Sequence, residues 1–151
     1  MAGNLASNRD EMLLMLTKAW KEAPANVSGL GQLHNELVLT MTDNDGVPSG
    51  MGRKTWARVT IQHGSSDATS ISRRRWLNKG LLTVQCFIWR DMTSDDARVQ
   101  ALASFIVGRL RDHRGSVLFT NPYPREGRIN NGFAQCDAVS LFQWEEFRRT
   151  A

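Results

Sequence analysis

In 151 residues the chain has two cysteines, three histidines, four prolines and a single tyrosine. Cys86 and Cys136 lie far apart, show no C-x-x-C spacing and stand in apolar runs, where Cys serves as a small hydrophobe. They are read as reduced and structural, which excludes a disulfide scaffold. No stretch approaches the ~20 apolar residues of a membrane span, and the start, MAGNLASNRDEMLL, has no basic segment followed by an apolar one. The expectation is a protein with no membrane contact, made and kept in the cytoplasm. The absence of repeats and low-complexity tracts excludes a solenoid and a linker to a second domain.

Catalytic signatures are equally scarce. Nucleophilic chemistry needs a nucleophile, a base and an orienting group in one cleft. His34, His63 and His113 fall in a loop, at a strand end and at a helix end, and read as surface histidines. Neither a G-x-S-x-G elbow nor a phosphate-cradling G-x-x-x-x-G-K-[ST] loop accompanies them. DNDG at 43–46 resembles the start of a calcium loop, but the twelfth loop position, where a bidentate acid belongs, is Lys54. A turn is the simpler reading. Zinc is not expected either, because neither cysteine has a ligand partner close in sequence. No catalytic, cofactor-binding or metal residue is therefore assigned.

What the chain does have is clear periodicity. At 41% hydrophobic and 23% charged it has the make-up of one globular domain, long enough to bury roughly 70% of its unfolded surface. Met12, Leu13, Leu16, Ala19 and Trp20 recur at helical spacing, which predicts a helix from about Ser7 to Ala23, with Asp10 in a capping position and Pro24 as its stop. One short strand is expected at Leu37–Met41, followed by a mobile loop at about 43–55. From Trp56, Ala57, Val59 and Ile61 alternate with Arg58, Thr60 and Gln62, the pattern of a half-buried strand, and HGSSDATSIS reads as a loop.

A second run, about Ser72 to Trp89, turns Leu82, Val84, Cys86 and Ile88 one way and Thr83, Gln85 and Phe87 the other. Gly80 suggests a bulge within it, and the outer part suggests an arm beyond the sheet. Thr93 or Ser94 then caps a helix whose dry stripe is Leu102, Phe105, Ile106 and Leu110, ending before Gly115. SVLFTN and GFAQCDAVSLFQW read as strands joined by PYPREGRINNG, with a turn at Asn131-Gly132. Ala134, Cys136, Ala138 and Ser140 give the last strand a face of small side chains, able to take a helix at close range. The fold class expected is α+β, a mostly antiparallel sheet with two helices packed on one face and a long projecting strand pair.

The sharpest local feature is SRRRWLNKG, where Arg73, Arg74, Arg75 and Lys79 surround Trp76. A basic run with an aromatic suits nucleic acid, and the formal charge of +4 leans the same way. On a strand, however, alternation splits the charge between two faces. Such a run also serves as a protein contact anchored by Arg and Trp, or as an edge protected by charge.

WARVTIQHG, the Arg-rich approach to GLLTVQCFIW, the acid-capped SDDARVQALASFIVGRLRDH and VLFTNPYPREGRINNGFAQCDAVSLFQWEE together resemble the tail terminator, or tail completion, proteins of long-tailed bacteriophages. The similarity runs from about Trp56 to Glu146 and, more loosely, over the first helix. It implies a single tail-terminator-like domain over 1–151 and a non-enzymatic virion protein. Members form a ring, usually a hexamer, that seats on the head-proximal end of the tail tube, stops its polymerisation and offers the head or neck a surface. The partners implied are further copies of the chain, the tail tube protein and a neck or head-completion protein, with DNA passing only transiently through the channel. Assembly would take place in the host cytoplasm. Arg73, Arg74, Arg75, Trp76 and Lys79 are the candidate interface. A neck adaptor joining head to tail, and a small nucleic-acid-binding protein using the basic arm, stay open as alternatives.

Overall fold

The alternation read along 56–61 and 82–88 becomes the inner face of a five-stranded sheet. The computed structural model describes residues 5–27, 39–40, 55–68, 75–89, 95–127 and 132–147. Along the chain the elements are α1 (Leu5–Asn26), β1 (Leu39–Thr40), β2 (Trp56–Ala68), β3 (Arg75–Trp89), α2 (Asp95–Asp112), β4 (Leu118–Glu126) and β5 (Phe133–Phe147). The strand order is β1-β2-β3-β5-β4, with every pairing antiparallel except the two-residue contact of β1 with β2. The expected α+β sandwich is what the chain forms.

Register explains the core. Ala57 lies opposite Cys86 and Cys136, Val59 opposite Val84 and Ala138, and Ile61 opposite Leu82 and Ser140, so one face of three strands carries small and medium apolar groups. Met12, Leu16, Ala19, Trp20 and Ala23 of α1 and Val99, Leu102, Ala103, Ile106, Val107 and Leu110 of α2 are buried in the same cluster. Both helices thus cover one face of the sheet. Each Met, Leu, Val or Ile among them, once removed from water, contributes roughly 1.5–3 kcal/mol before entropy is counted, and each Ala well under half of that. Ala134, Cys136, Ala138 and Ser140 are all buried, the small-residue floor expected under a helix.

Several boundaries differ from the sequence reading. Pro24 does not stop α1: the helix runs on to Asn26 although a proline has no N–H to give the carbonyl four residues back, and the Val27 N–H bonds the Ala23 carbonyl at 2.7 Å. Ser7 and Asp10 are inside the helix, not at its cap. Thr93 and Ser94 lie outside the described residues, as do His34 and residues 43–54 of the expected loop. Of the short strand expected at Leu37–Met41 the described part, Leu39–Thr40, is strand.

The largest change concerns the arm. HGSSDA is strand, not loop, and β3 pairs with β5 over its whole length, from Arg75 opposite Phe147 to Trp89 opposite Phe133. The expected projecting pair is accompanied by a third strand of equal reach, so β3 is a central strand. The bulge expected at Gly80 is in β2 instead, between His63 and Ser65. Gly80 has a different reason to be glycine: a Cβ there would collide with the Gln62 carbonyl oxygen and with the Phe142 ring, whose Cε1 stands 2.7 Å from its position.

The PYPRE of the expected connector belongs to β4, which carries a second irregularity between Thr120 and Tyr123. Asn121 takes φ of 51° there, the left-handed conformation that Asn tolerates better than most residues. One extra residue in the strand restores the pleat so that Tyr123 faces Val139 and Arg125 faces Asp137. Both then lie on the sheet face away from the helices.

Candidate functional site

The sequence-predicted arm is only partly described, and its residues do not form one patch. Arg73 and Arg74 lie outside the described residues. Arg75 opens β3; Lys79 is exposed on the outer face, whereas Trp76 is half-buried on the helix-side face with Asn78 and Gly80. Strand alternation separates the aromatic from the charge, as the pleat requires.

Sequence reasoning missed the content of the outer face. Near one end Trp56 and Phe87 stack at 4.0 Å with planes 11° apart, and Phe133 meets both edge-on at 6.0 and 6.4 Å. Trp89 closes the group against Phe133 at 5.2 Å. Arg58, expected on the wet side, is buried: its guanidinium lies 5.3 Å from the Trp56 ring and 5.7 Å from Phe87, and its Nη1 donates to Gln85 Oε1 at 3.3 Å. Aromatic faces and a planar cation attract each other once desolvated.

Register then lays a polar row straight across four strands: Arg58, Gln85, Asp137, Arg125. Asp137, with a side chain only 4% exposed, accepts from Arg125 Nη2 at 2.8 Å, from Arg125 Nε at 3.3 Å and from Gln135 Nε2 at 2.9 Å. This forked arrangement satisfies both carboxylate oxygens.

Beyond that row the outer face turns apolar and open. Leu118 and Leu141 are 55% and 52% exposed and Tyr123 48%, with half-buried Leu81 opposite Leu141. Lys79 and Arg125 flank them. Large exposed apolar residues gathered on one face mark a contact surface more often than singly scattered ones do.

On the other side of the molecule the helices leave an open groove of about 680 Å³, lined among others by Leu14, Met15, Asp10, Lys18, Arg109 and Asp112. Leu14, 71% exposed, is the fourth large hydrophobic side chain open to water among the described residues. Arg109 bonds Glu22 across the groove at 2.6 Å. At one end Glu11 accepts three hydrogen bonds, from His113 Nε2 at 3.0 Å and from the Ser116 and Val117 N–H groups at 3.1 and 2.9 Å. Burial would raise the Glu11 carboxyl, but the His113 and backbone donors outweigh it and hold the group below its usual range. His113, expected at the surface, is thus a clamp between α1 and the α2–β4 turn, with its ring 5.5 Å from Phe119. His63 packs its ring edge-on to Phe142 at 5.4 Å; burial, with the charge of Arg9, pushes its pKa down.

Among the described residues no group of three His, Cys, Asp or Glu side chains could hold a metal ion, and no helix is long and apolar enough to cross a membrane. Cys86 and Cys136 face each other in register beneath the helices, both free and buried.

Fold and surface define an α+β two-layer protein whose exposed apolar groups lie on opposite sides of one sheet. No family model and no curated protein sequence matches the chain. Among solved structures 28 chains match; one, whose title names no function, is 10% identical, covers 94% of this chain and 98% of its own, and superposes with a TM-score of 0.53. At that identity the likeness shows the fold alone.

Proposed function

We propose that the chain is a structural virion subunit that forms a ring on the head-proximal end of a phage tail tube, ends tail polymerisation and offers the head or neck its attachment surface. The observation that carries the reading is the placement of exposed apolar groups: Leu118, Tyr123 and Leu141 on the outer sheet face, Leu14 on the helix layer. A subunit of a closed ring needs two unlike surfaces, one for each neighbour, and a third for what it caps. The resemblance to tail terminators supports the same assignment, and assembly asks for no nucleophile or metal. The partners are further copies, in number usually six, the tail tube protein and a neck protein. Lys79, exposed on the outer face, can meet a carboxylate of a partner.

Electron microscopy of virions, and of particles assembled without this protein, tests the proposal. The expected result is a ring at the head-proximal tail end, with overlong or headless tails when the protein is missing. Normal tails with density on the portal side would overturn it in favour of a neck adaptor. No virion density, together with salt-dependent DNA binding, would overturn it in favour of a nucleic-acid-binding protein.

A further inference from the structure

We propose that Cys86 and Cys136 are a latent disulfide: in an oxidising medium their sulfurs join and link the central strands β3 and β5 covalently. The two residues stand directly opposite each other in the antiparallel ladder. Residues so opposed have Cα atoms about 4.5 or 5.5 Å apart, the larger value where the pair itself makes the ladder hydrogen bonds. Both separations fall within the roughly 4.4–6.8 Å that a disulfide spans. Opposed side chains also point to one face, here the one beneath the helices, so the bridge asks for no movement of backbone.

The surroundings leave room for it. Ala57 completes the row on the β2 side, and Ala134 and Ala138 flank Cys136 along its own strand, all three buried. Each thiol holds a single long contact with a carbonyl oxygen, Cys86 with that of Val84 at 3.9 Å and Cys136 with that of Arg125 at 3.4 Å. Thiols are weak donors, so turning the sulfurs toward each other forfeits little.

The chemistry is thiol–disulfide exchange with a small soluble disulfide, for which oxidised glutathione serves. One cysteine thiolate attacks a sulfur of the small disulfide and expels a thiolate; the second cysteine thiolate attacks the protein sulfur of the mixed disulfide and expels the other. Two protein thiols are oxidised to one bond, the small disulfide is reduced to two thiols, and these carry off the two protons. Both sulfurs are covered in the folded chain, so exchange runs through opening of the fold, and the finished bond is shielded from reductants once the fold closes. A reducing cytoplasm keeps the pair as thiols and an extracellular medium oxidises it. The bond is a property of the fold and stands apart from the ring reading.

The test is refolding of the full chain from urea in mixtures of reduced and oxidised glutathione, then acid quenching, mass measurement and urea unfolding of the product. The expected product has the mass of one chain less two hydrogens, carries no glutathione, and has a folding equilibrium constant roughly 30- to 900-fold above that of the reduced chain, the range of native disulfides. Dithiothreitol should abolish that gain and should leave Cys136→Ala, which cannot form the bond, unchanged. A refolded chain that keeps both thiols in mixtures that oxidise the urea-unfolded chain would overturn the proposal. So would an oxidised chain no more stable than the reduced one, or a bond found between two copies instead of within one. None of these readouts touches tail assembly, which microscopy decides separately.

Discussion

Replacing Gly80 by Ala perturbs a single atom whose consequences follow from the register. Gly80 sits in the central strand β3, opposite His63 on one side and Phe142 on the other. The added Cβ points to the core face, into the Phe142 ring and against the Gln62 carbonyl oxygen. The ring can turn, at roughly 0.5–1.5 kcal/mol for leaving its rotamer, but it is buried and already meets His63 edge-on. The carbonyl cannot turn without breaking the β2–β3 pairing next to the bulge. Overpacking of this kind costs typically 1–3 kcal/mol, so Gly80→Ala should lose about 2–4 kcal/mol. For a chain of this length each kcal/mol moves the melting temperature by roughly 2–4 °C. Urea unfolding and calorimetry read the effect directly. Gly108→Ala is the control: it lies inside α2 with open space around the new methyl, and should gain roughly 0.5–1 kcal/mol from reduced chain entropy. Shrinking the ring with Phe142→Leu should not rescue Gly80→Ala, because the backbone contact persists. A Gly80→Ala protein as stable as wild type would refute the close approach on which this reasoning depends.

Glu11→Gln should destabilise by about 1.5–3 kcal/mol at pH 7, the range for hydrogen bonds to a charged acceptor. Because the folded pKa of Glu11 lies below its ordinary value, its contribution is complete above the unfolded pKa and fades as pH falls through the folded one. Urea midpoints of wild type and variant should therefore converge at acid pH; a constant gap from pH 7 to 3 would contradict the clamp. Arg125→Ala should cost more than Asp137→Asn, since the first strands a buried carboxylate while the second leaves an arginine that is half in water, and equal losses in thermal melts would reverse the assignment. Burial, with the nearby Asp137 charge, pushes the Cys136 thiol up to about 11, and burial raises Cys86 well above its usual value. With ~0.1% thiolate at pH 8 and no solvent access, neither thiol should react with Ellman's reagent until the chain unfolds, when both should. Rapid labelling of native protein would show that α2 does not cover them.

Much of the architecture is readable from period alone. The strand-to-helix switch near 89–95, the dry stripes of both helices and the small-residue face of β5 all follow from spacings of two and of three or four. Failures cluster where an element's environment, not its own residues, decides the outcome. Arg58 alternates as a solvent-facing residue should, but register places it over the Trp56–Phe87 stack, and no single-strand pattern contains that fact. Phe87 alternates with Thr83 and Gln85 on the face away from the helices, yet it is buried there by Trp56 and Phe133, which the strand's own pattern does not contain. Nothing near Glu11 in sequence announces its role; its partners lie more than 100 residues away, at His113, Ser116 and Val117.

The bulge at Asn121 shows most directly why the exposed apolar patch is hidden in the sequence. Counting by twos from Phe119, which is in the core, puts Thr120 outside, Tyr123 inside and Arg125 inside. The observed register instead pairs Thr120 with Leu141 and Tyr123 with Val139, three residues of β4 spanning two of β5, so every later side chain changes face. That single extra residue brings Arg125 onto Asp137 and sets Tyr123 beside Leu118 and Leu141 on the outer face. Without it the patch would shrink to two leucines and the buried carboxylate would lose its cation. Pro122 and Pro124, which made this segment read as a connector, fit an edge strand, where a missing N–H costs no ladder bond and discourages uncontrolled pairing. An edge that cannot add strands indiscriminately, beside a face that is apolar and open, is consistent with the proposed association through the face. A ring of defined size needs that division, because strand addition along an open edge has no built-in end.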